Sequence, residues 1–484
     1  MSIQSAVEFA CGIWKNRPVL AQAVEQDLSS DGGLALFGQF DQKLGWTKQF
    51  SSMISDARTD PDHSALSIVQ QRVFGILAGY EDQNDHDTLR SDPVFKMLAG
   101  RMPSDDDLAS QPTISRLENS VTPSDLLQME QWFIDKFVES FSDAPAAITL
   151  DIDTYADAAH GSQQLALWHD YYKQSQYQVR VVTCAENDMV VMPVLLYGSA
   201  AVKLGAADDL TRMIEGLRKR FPEVAIALRA DSGFAGGDMY DVGDAFENVT
   251  FTIGMGINSK TKKLSETLLQ EAIAAQKSTG EDQLRYMSVM DYKSPMWKGK
   301  SRNLVIKCEA TAHSISRRVV VSSEPDVEEN PEAVYRKYAQ RGESENRNKE
   351  LKCGLSGDRL SDHRYMANLF RIMMHCVAHN LLVSLRQIVA VEEPKAELSS
   401  APPMVANQSF RETKADRKLH NDRRKRDPLG EGHPCTWRTL IIKVATKVVV
   451  SSRRVVLQLS SSWPNLEYFQ KVAEAIERFR PLTN

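Results

Sequence analysis

Cysteine is scarce in this chain: six residues among 484, at positions 11, 184, 308, 353, 376 and 435, with no CxxC pair. A disulfide framework and a zinc knuckle are therefore excluded, and a reducing compartment is expected. No long apolar run is free of polar residues. The most apolar window, Met366–Leu385, carries Asn368, Arg371, His375, His379 and Asn380, which marks a core helix and not a membrane span. The first residues hold Glu8 and no basic segment ahead of an apolar stretch, so no secretory leader is expected. Positive charge is not in excess either. Lys and Arg number 58 against 64 Asp and Glu, a net charge of −6, so the total carries no electrostatic footprint of a nucleic-acid binder. Repeats of 20–50 residues are missing, which excludes a solenoid.

What the chain has is apolar substance and local contrast. Hydrophobic residues make up 42%, enough for a core, and the length suits several domains. Residues 1–143 read as a helical N-terminal domain, with turn-rich breaks at Ser29–Gly33 and Asp60–His63. From Ala147 the texture changes to short β-rich runs: AITLDID, then YQVRVVT from Tyr177, then VVMPVLLYG from Val190. An amphipathic helix is expected over Ala207–Phe221, with Asp208 and Asp209 at its start and Arg218, Lys219 and Arg220 at its end. A strand VAIALRAD, a short helix near Gly237–Phe246 and a strand VTFTIGM follow. Three strands, helix, strand, helix, strand is the element order of a ribonuclease H-like fold. The expectation is thus an α/β protein with such a core in two parts, 144–257 and 329–391. A β-rich insertion over 258–328 should project from the sheet edge. Residues 392–433 read as a basic linker, where Arg411–Arg426 holds eight Lys or Arg against three acids, and 434–484 as a small C-terminal α+β unit.

Acidic residues at strand ends carry the chemical reading. Asp151 and Asp153 lie two apart on the first strand and so share a face. Asp231 ends the fourth strand, a neighbour of the first in the expected sheet, and Glu345 lies on a later helix. Carboxylates meeting there repel one another unless cations neutralise them, and Mg²⁺ suits such hard oxygen donors. Any one such Asp is as well explained as a cap or turn former. In YAQRGESENRNKELK, residues Tyr338, Arg341, Glu345 and Lys352 fall on one helix face, within an arc of roughly 60°. That face either holds a metal between phosphate-binding cations or is a solvated face of ion pairs. His375 and His379 stand four apart with no third ligand, a packed helix and not a metal pair. The GMG at Gly254 completes no phosphate-loop fingerprint, and His160-Gly161 reads as a loop former.

The last motif changes the balance. Tyr338, Arg341, Glu345 and Lys352 match Y-x2-R-x3-E-x6-K at every spacing, and the chain resembles DDE transposases of bacterial insertion sequences, the superfamily of the transposon 5 and transposon 10 enzymes. SSDGGLALF, GYEDQNDHDTLRSDP, LDIDTYADAAHGSQ, RADSGF and WRTLIIKVATKVVVSSRRVVLQLSSSWP resemble the insertion-sequence 1380 branch in particular. The branch has D-x-D-x-T in its first motif, whereas Tyr155 stands here in place of Thr. The resemblance implies catalytic and metal-holding Asp153, Asp231 and Glu345, with Asp151 the alternative first acid. It implies two Mg²⁺ ions, Mn²⁺ substituting, and DNA phosphates held by Tyr338, Arg341 and Lys352. The partners it implies are double-stranded DNA, at the element's inverted repeats and at the target, and a second copy of the chain in a homodimer. The N-terminal domain would bind the terminal repeat, with no membrane and a cytoplasmic, nucleoid-associated location. Two rivals stay open: a decayed relative that only binds DNA, and a metal-dependent nuclease on the same fold.

Overall fold

The computed structural model describes residues 8–22, 24, 26–390, 422–423 and 425–481. Most of the basic linker, including nearly all of Arg411–Arg426, lies outside them. The chain is a mixed α/β protein with a helical body and one large sheet. A hairpin of β1 (Glu8–Trp14) and β2 (Arg17–Gln22) comes first, turning on Lys15 and Asn16, both with positive φ. After β3 (Leu28–Ser29) come α1 (Leu34–Leu44), α2 (Ala65–Ala78) and α3 (Pro123–Glu139). Their starts are written in the sequence. Ser64 accepts from the Ser67 N–H at 3.1 Å, and Thr122 and Asp125 form a capping box behind Pro123.

The sheet forms where expected. β4 (Ala147–Ala158), β6 (Gln174–Cys184) and β7 (Val190–Tyr197) run antiparallel in turn, and a short β5 (Leu167–His169) pairs with the start of β6. α4 (Ala206–Arg220) leads to β8 (Ala225–Ala230), and α5 (Gly237–Ala245) to β9 (Val249–Met255). β8 lies between β4 and β9 and pairs parallel with both. The pairing of β4 with β8 stops at Ile152 opposite Ala230.

Three expectations are corrected. Residues 258–328 do not project as a separate subdomain. After α6 (Glu266–Thr279), strands β10 (Gln283–Lys293), β11 (Ser301–Ala310) and β12 (Ile315–Ser322) prolong the same sheet, β12 pairing antiparallel with β9. β9 otherwise leaves an unpaired edge, and Val319–Ser322 supply its partners. The C-terminal residues are not a unit apart either. β13 (Thr446–Val450) pairs with β14 (Val455–Leu459) on one side and with β3 on the other. Lys443 meets buried Asp31 at 2.6 Å, and α10 (Leu466–Arg478) lies on α1. Finally, among the described residues the N-terminal region is helical only from Leu34 onward, with β1 to β3 ahead of it.

α7 (Pro331–Ala339) and α8 (Gly342–Lys349) lead to α9 (Tyr365–Val389). α9 is apolar and long enough to cross a membrane, yet it is mostly buried between α2 and β7 in the main core. α7 lies over β10 and β11, where Val334 and Tyr335 close a second apolar cluster with Val305, Val320 and Val327. That packing fixes the end of α7 beside β8 and β9.

Candidate active site

Asp151 and Asp153 share a face of β4 but not an environment. Asp151 is buried, and both its oxygens are taken by Arg229, directly opposite on β8: Nε to Oδ1 at 2.7 Å and Nη2 to Oδ2 at 2.8 Å. Arg229 is itself fixed by donating to the Lys337 carbonyl at 2.9 Å. Asp153 lies one residue beyond the last β8 partner. Its Oδ1 accepts the Thr154 N–H at 2.8 Å, and its Oδ2 accepts from Arg341 at 3.3 Å and Asn348 at 3.1 Å. Burial raises its pKa, opposed by Arg341 and the Thr154 N–H, and the negative charges of Asp231 and Glu345 raise it further.

Asp153 thus feels the charge of both Asp231 and Glu345, although successive members of the trio are 78 and 114 positions apart in sequence. Asp231 caps the turn after β8, its Oδ1 accepting the Gly233 N–H at 2.8 Å. Glu345 is exposed on α8. Arg341 feels both Asp153 and Asp231 and hydrogen-bonds Tyr338. Among the described residues no three His, Cys, Asp or Glu close into a shell around one ion. The donor chemistry nevertheless fits Mg²⁺: carboxylate oxygens are hard donors, and Asp153 feels the negative charge of both Asp231 and Glu345.

The single charged helix face expected over 338–352 is corrected. The helix breaks at Gln340 and Arg341 and ends in a π turn over Glu350–Gly354, where the Leu355 N–H reaches the Glu350 carbonyl at 2.8 Å. Lys352 lies within this wider turn. Its ammonium stands 4.0 Å from Asp358 and over the Tyr155 ring, 5.8 Å from the centroid. Tyr155 is buried and donates to the Gly357 carbonyl at 3.2 Å. His375 and His379 are buried in α9. His375 Nδ1 lies 2.9 Å from the Leu355 carbonyl, and burial holds its pKa down at about 3.

Three residues beside the acids were not read from sequence. Arg229 gave a signal only in hindsight, as the cross-strand partner of Asp151. Asn348 stands three after Glu345, one turn along the same helix. Gly254, discounted as part of GMG, allows the close approach of β9: a Cβ there would fall 2.7 Å from the Ser232 nitrogen and 3.0 Å from the Tyr338 hydroxyl.

Two strand-end acids, a helical acid and an arginine bonded to the first make up the candidate site. The family model for the transposase DDE domain group 1 matches residues 12–401, and the chain belongs to that family. No curated protein matches the chain. Among solved structures, the cryo-EM structure of the piggyBac transposase synaptic complex with hairpin DNA is similar at 12% identity and a TM-score of 0.37, covering 75% of this chain and 77% of that one. A likeness so loose decides nothing about the fold.

Proposed function

We propose that the protein is a DNA transposase that cleaves and joins the inverted-repeat ends of its own insertion sequence, on a ribonuclease H-like core with Asp153, Asp231 and Glu345 as the catalytic acids. The observation that carries this reading is Asp153, bonded by Arg341 where β4 outruns β8 and within the field of Asp231 and Glu345, in a chain of the DDE family. The insertion-sequence 1380 branch and a bacterial source belong to the same proposal, and rest on the quoted motifs.

Two Mg²⁺ ions held by these carboxylates would supply activation of the attacking oxygen and charge stabilisation of the leaving oxygen. The chain's own residues do the rest. Water adds to the phosphorus at the element's end and the P–O3′ bond breaks, freeing a 3′-hydroxyl. The oxygen of that hydroxyl then bonds in line to a target phosphorus as it loses its proton, and the target's own P–O3′ bond breaks to leave a 3′-hydroxyl on the target strand. Arg341 leaves Asp153 to hold a phosphate beside the scissile bond, with Tyr338 orienting its guanidinium. Lys352, farther along, holds a second phosphate. Asp151 keeps β4 and β8 in register through Arg229 and takes no part in the chemistry. The N-terminal domain reads the terminal repeat, and two protomers bring two ends together. Action on cellular DNA places the protein in the cytoplasm at the nucleoid.

The test is cleavage of DNA carrying the inverted repeats that flank the gene, in Mg²⁺ and in Mn²⁺. Release of a 3′-hydroxyl by the wild type and its loss in Glu345→Gln are expected. Equal cleavage by both proteins would end this reading.

A further inference from the structure

Asn348 is a polar residue of α8 that faces inward. It stands three residues after Glu345, one turn along the helix, yet only 8% of it is exposed. Its neighbour Arg347 pins that turn to the body. Nε pairs with Asp188 and Nη2 donates to the Ala185 carbonyl at 3.3 Å, both in the connection from β6 to β7. The Asn348 amide is oriented by what it meets. Nδ2 donates to Asp153 Oδ2 at 3.1 Å, because the amide oxygen would be repelled by a carboxylate. Oδ1, on the same carbon, is buried and finds no donor among the described residues. An unmet acceptor in the interior is costly, so such an atom calls for a use. Covalent geometry keeps it within roughly 5.5 Å of the Asp153 carboxylate, a gap that one water molecule spans.

We propose that Asn348 is a positioning residue for the hydrolytic step: Nδ2 holds the plane of the Asp153 carboxylate, and Oδ1 accepts a hydrogen bond from the attacking water. The inference rests on the transposase reading and adds a residue to that same site. Asp153 accepts from the Thr154 N–H on Oδ1 and from Arg341 and Asn348 on Oδ2. Once Arg341 turns to a phosphate, Asn348 is the side chain that still bonds Asp153 among the described residues. A carboxylate anchored at both oxygens keeps its remaining lone pairs aimed in one direction, as outer partners of metal ligands do. The amide oxygen is too weak a base to take a proton. It fixes one O–H of the water and so points a lone pair of that water at phosphorus. The bond from water oxygen to phosphorus forms, P–O3′ breaks, and one proton of the water ends on the released O3′. In joining, the nucleophile is a 3′-hydroxyl carried into place by its own DNA strand, so Oδ1 matters less there.

Two measurements test this. Mn²⁺ titration without DNA, read from the electron paramagnetic resonance of the free ion, reports how firmly Asp153 is held. Asn348→Leu is close in volume and lacks both amide atoms, and it should weaken Mn²⁺ binding about ten- to a hundredfold. At saturating Mn²⁺, hydrolysis of an intact element end is then compared with joining by a pre-cleaved end. Asn348→Leu should slow hydrolysis at least about tenfold more than joining, and Asn348→Ala gives the same split should the leucine variant not fold. Asn348→Asp keeps an acceptor and should return the ratio of the two rates towards that of the wild type. Undiminished Mn²⁺ affinity in the Leu and Ala variants overturns the proposal, and so does equal slowing of hydrolysis and joining. Either result leaves the transposase reading standing. A wild type that binds Mn²⁺ but neither cleaves nor joins removes that reading and the proposal with it.

Discussion

The two halves of β4 differ in what flanks them. Over Ala147–Ile152 the strand has β6 on one side and β8 on the other. Over Asp153–Ala158 it keeps β6 but has lost β8. Two aspartates a single period apart therefore meet opposite fates. Asp151, inside the fully paired half, receives a bidentate arginine from the neighbouring strand and becomes part of the framework. Asp153, just past the boundary, is held by longer bonds from a helix and keeps the company of two other acids. Glu345 and Glu350 repeat the contrast on a helix. Glu345 is exposed, while Glu350 is buried with Arg386 at 2.6 and 3.0 Å and His433 at 2.5 Å, partners that carry its pKa well below the ordinary value against the desolvation of burial. A charge whose partners already saturate it is structural. One left with slack is available for chemistry.

The sharpest way to break this contrast is to neutralise each aspartate in turn. Asp153→Asn should leave the fold and DNA binding intact and lower end cleavage by about a thousandfold or more, as Asp231→Asn should. Cleavage in Mg²⁺ beside a binding titration in Ca²⁺ reads both quantities, and near-normal cleavage by Asp153→Asn would erase the distinction. Asp151→Ala should instead cost about 3–5 kcal/mol of stability, because Arg229 is left buried and unpaired. Denaturant unfolding measures that loss, and an unchanged midpoint would show the pair to be idle.

Smaller effects sharpen the boundary. Arg341→Ala should reduce the slope of log affinity against log salt by about 0.9, one phosphate contact's share. An unchanged slope would leave Arg341 as a partner of Asp153 alone. Asp157, in the second half of β4, is pushed up to about 8, by burial first and by Asp358 next, against the Leu360 N–H and Lys352. The folded state thus keeps a proton that the unfolded state has lost above about pH 4. Stability should therefore decline as pH rises from about 4 to 8, by at most about 1.4 kcal/mol per pH unit from this group. Asp157→Asn should flatten that decline in unfolding curves taken across the range, and an identical pH profile would refute the assignment.

The parts legible in sequence were those with local signals. The strands of β4, β6 to β9 and the dipole-matched ends of α4 follow from period-2 runs and terminal charge, and the spacing of Asp153, Asp231 and Glu345 from motif and strand order. What escaped depends on pairing at a distance or on small departures from ideal geometry. Strand-like texture at Asn303–Glu309 and Arg317–Ser322 does not say which edge it will join, so β12 against β9 was invisible. β3 is two residues long and exists only because β13 reaches it. The single face over 338–352 assumed a constant turn through a segment that breaks at Gln340 and widens at Glu350. Asp151 and Asp153 look alike in a sequence because the residue separating their roles, Arg229, is 78 positions from Asp151.

The pairing of Leu28–Asp31 with the Val444–Lys447 region also sets a clock. Asp31 and Val444 are bridged although 444 − 31 = 413 residues separate them. At ordinary synthesis rates of about 5–20 residues per second, the early strand waits roughly 20–80 s for its partner to be made. During that interval Asp31 lacks Lys443, and α1 lacks α10, the C-terminal helix that lies on it. The helical body is thus finished last although it begins first, and a nascent chain still tethered to the ribosome can have its large sheet in place before its N-terminal region is closed.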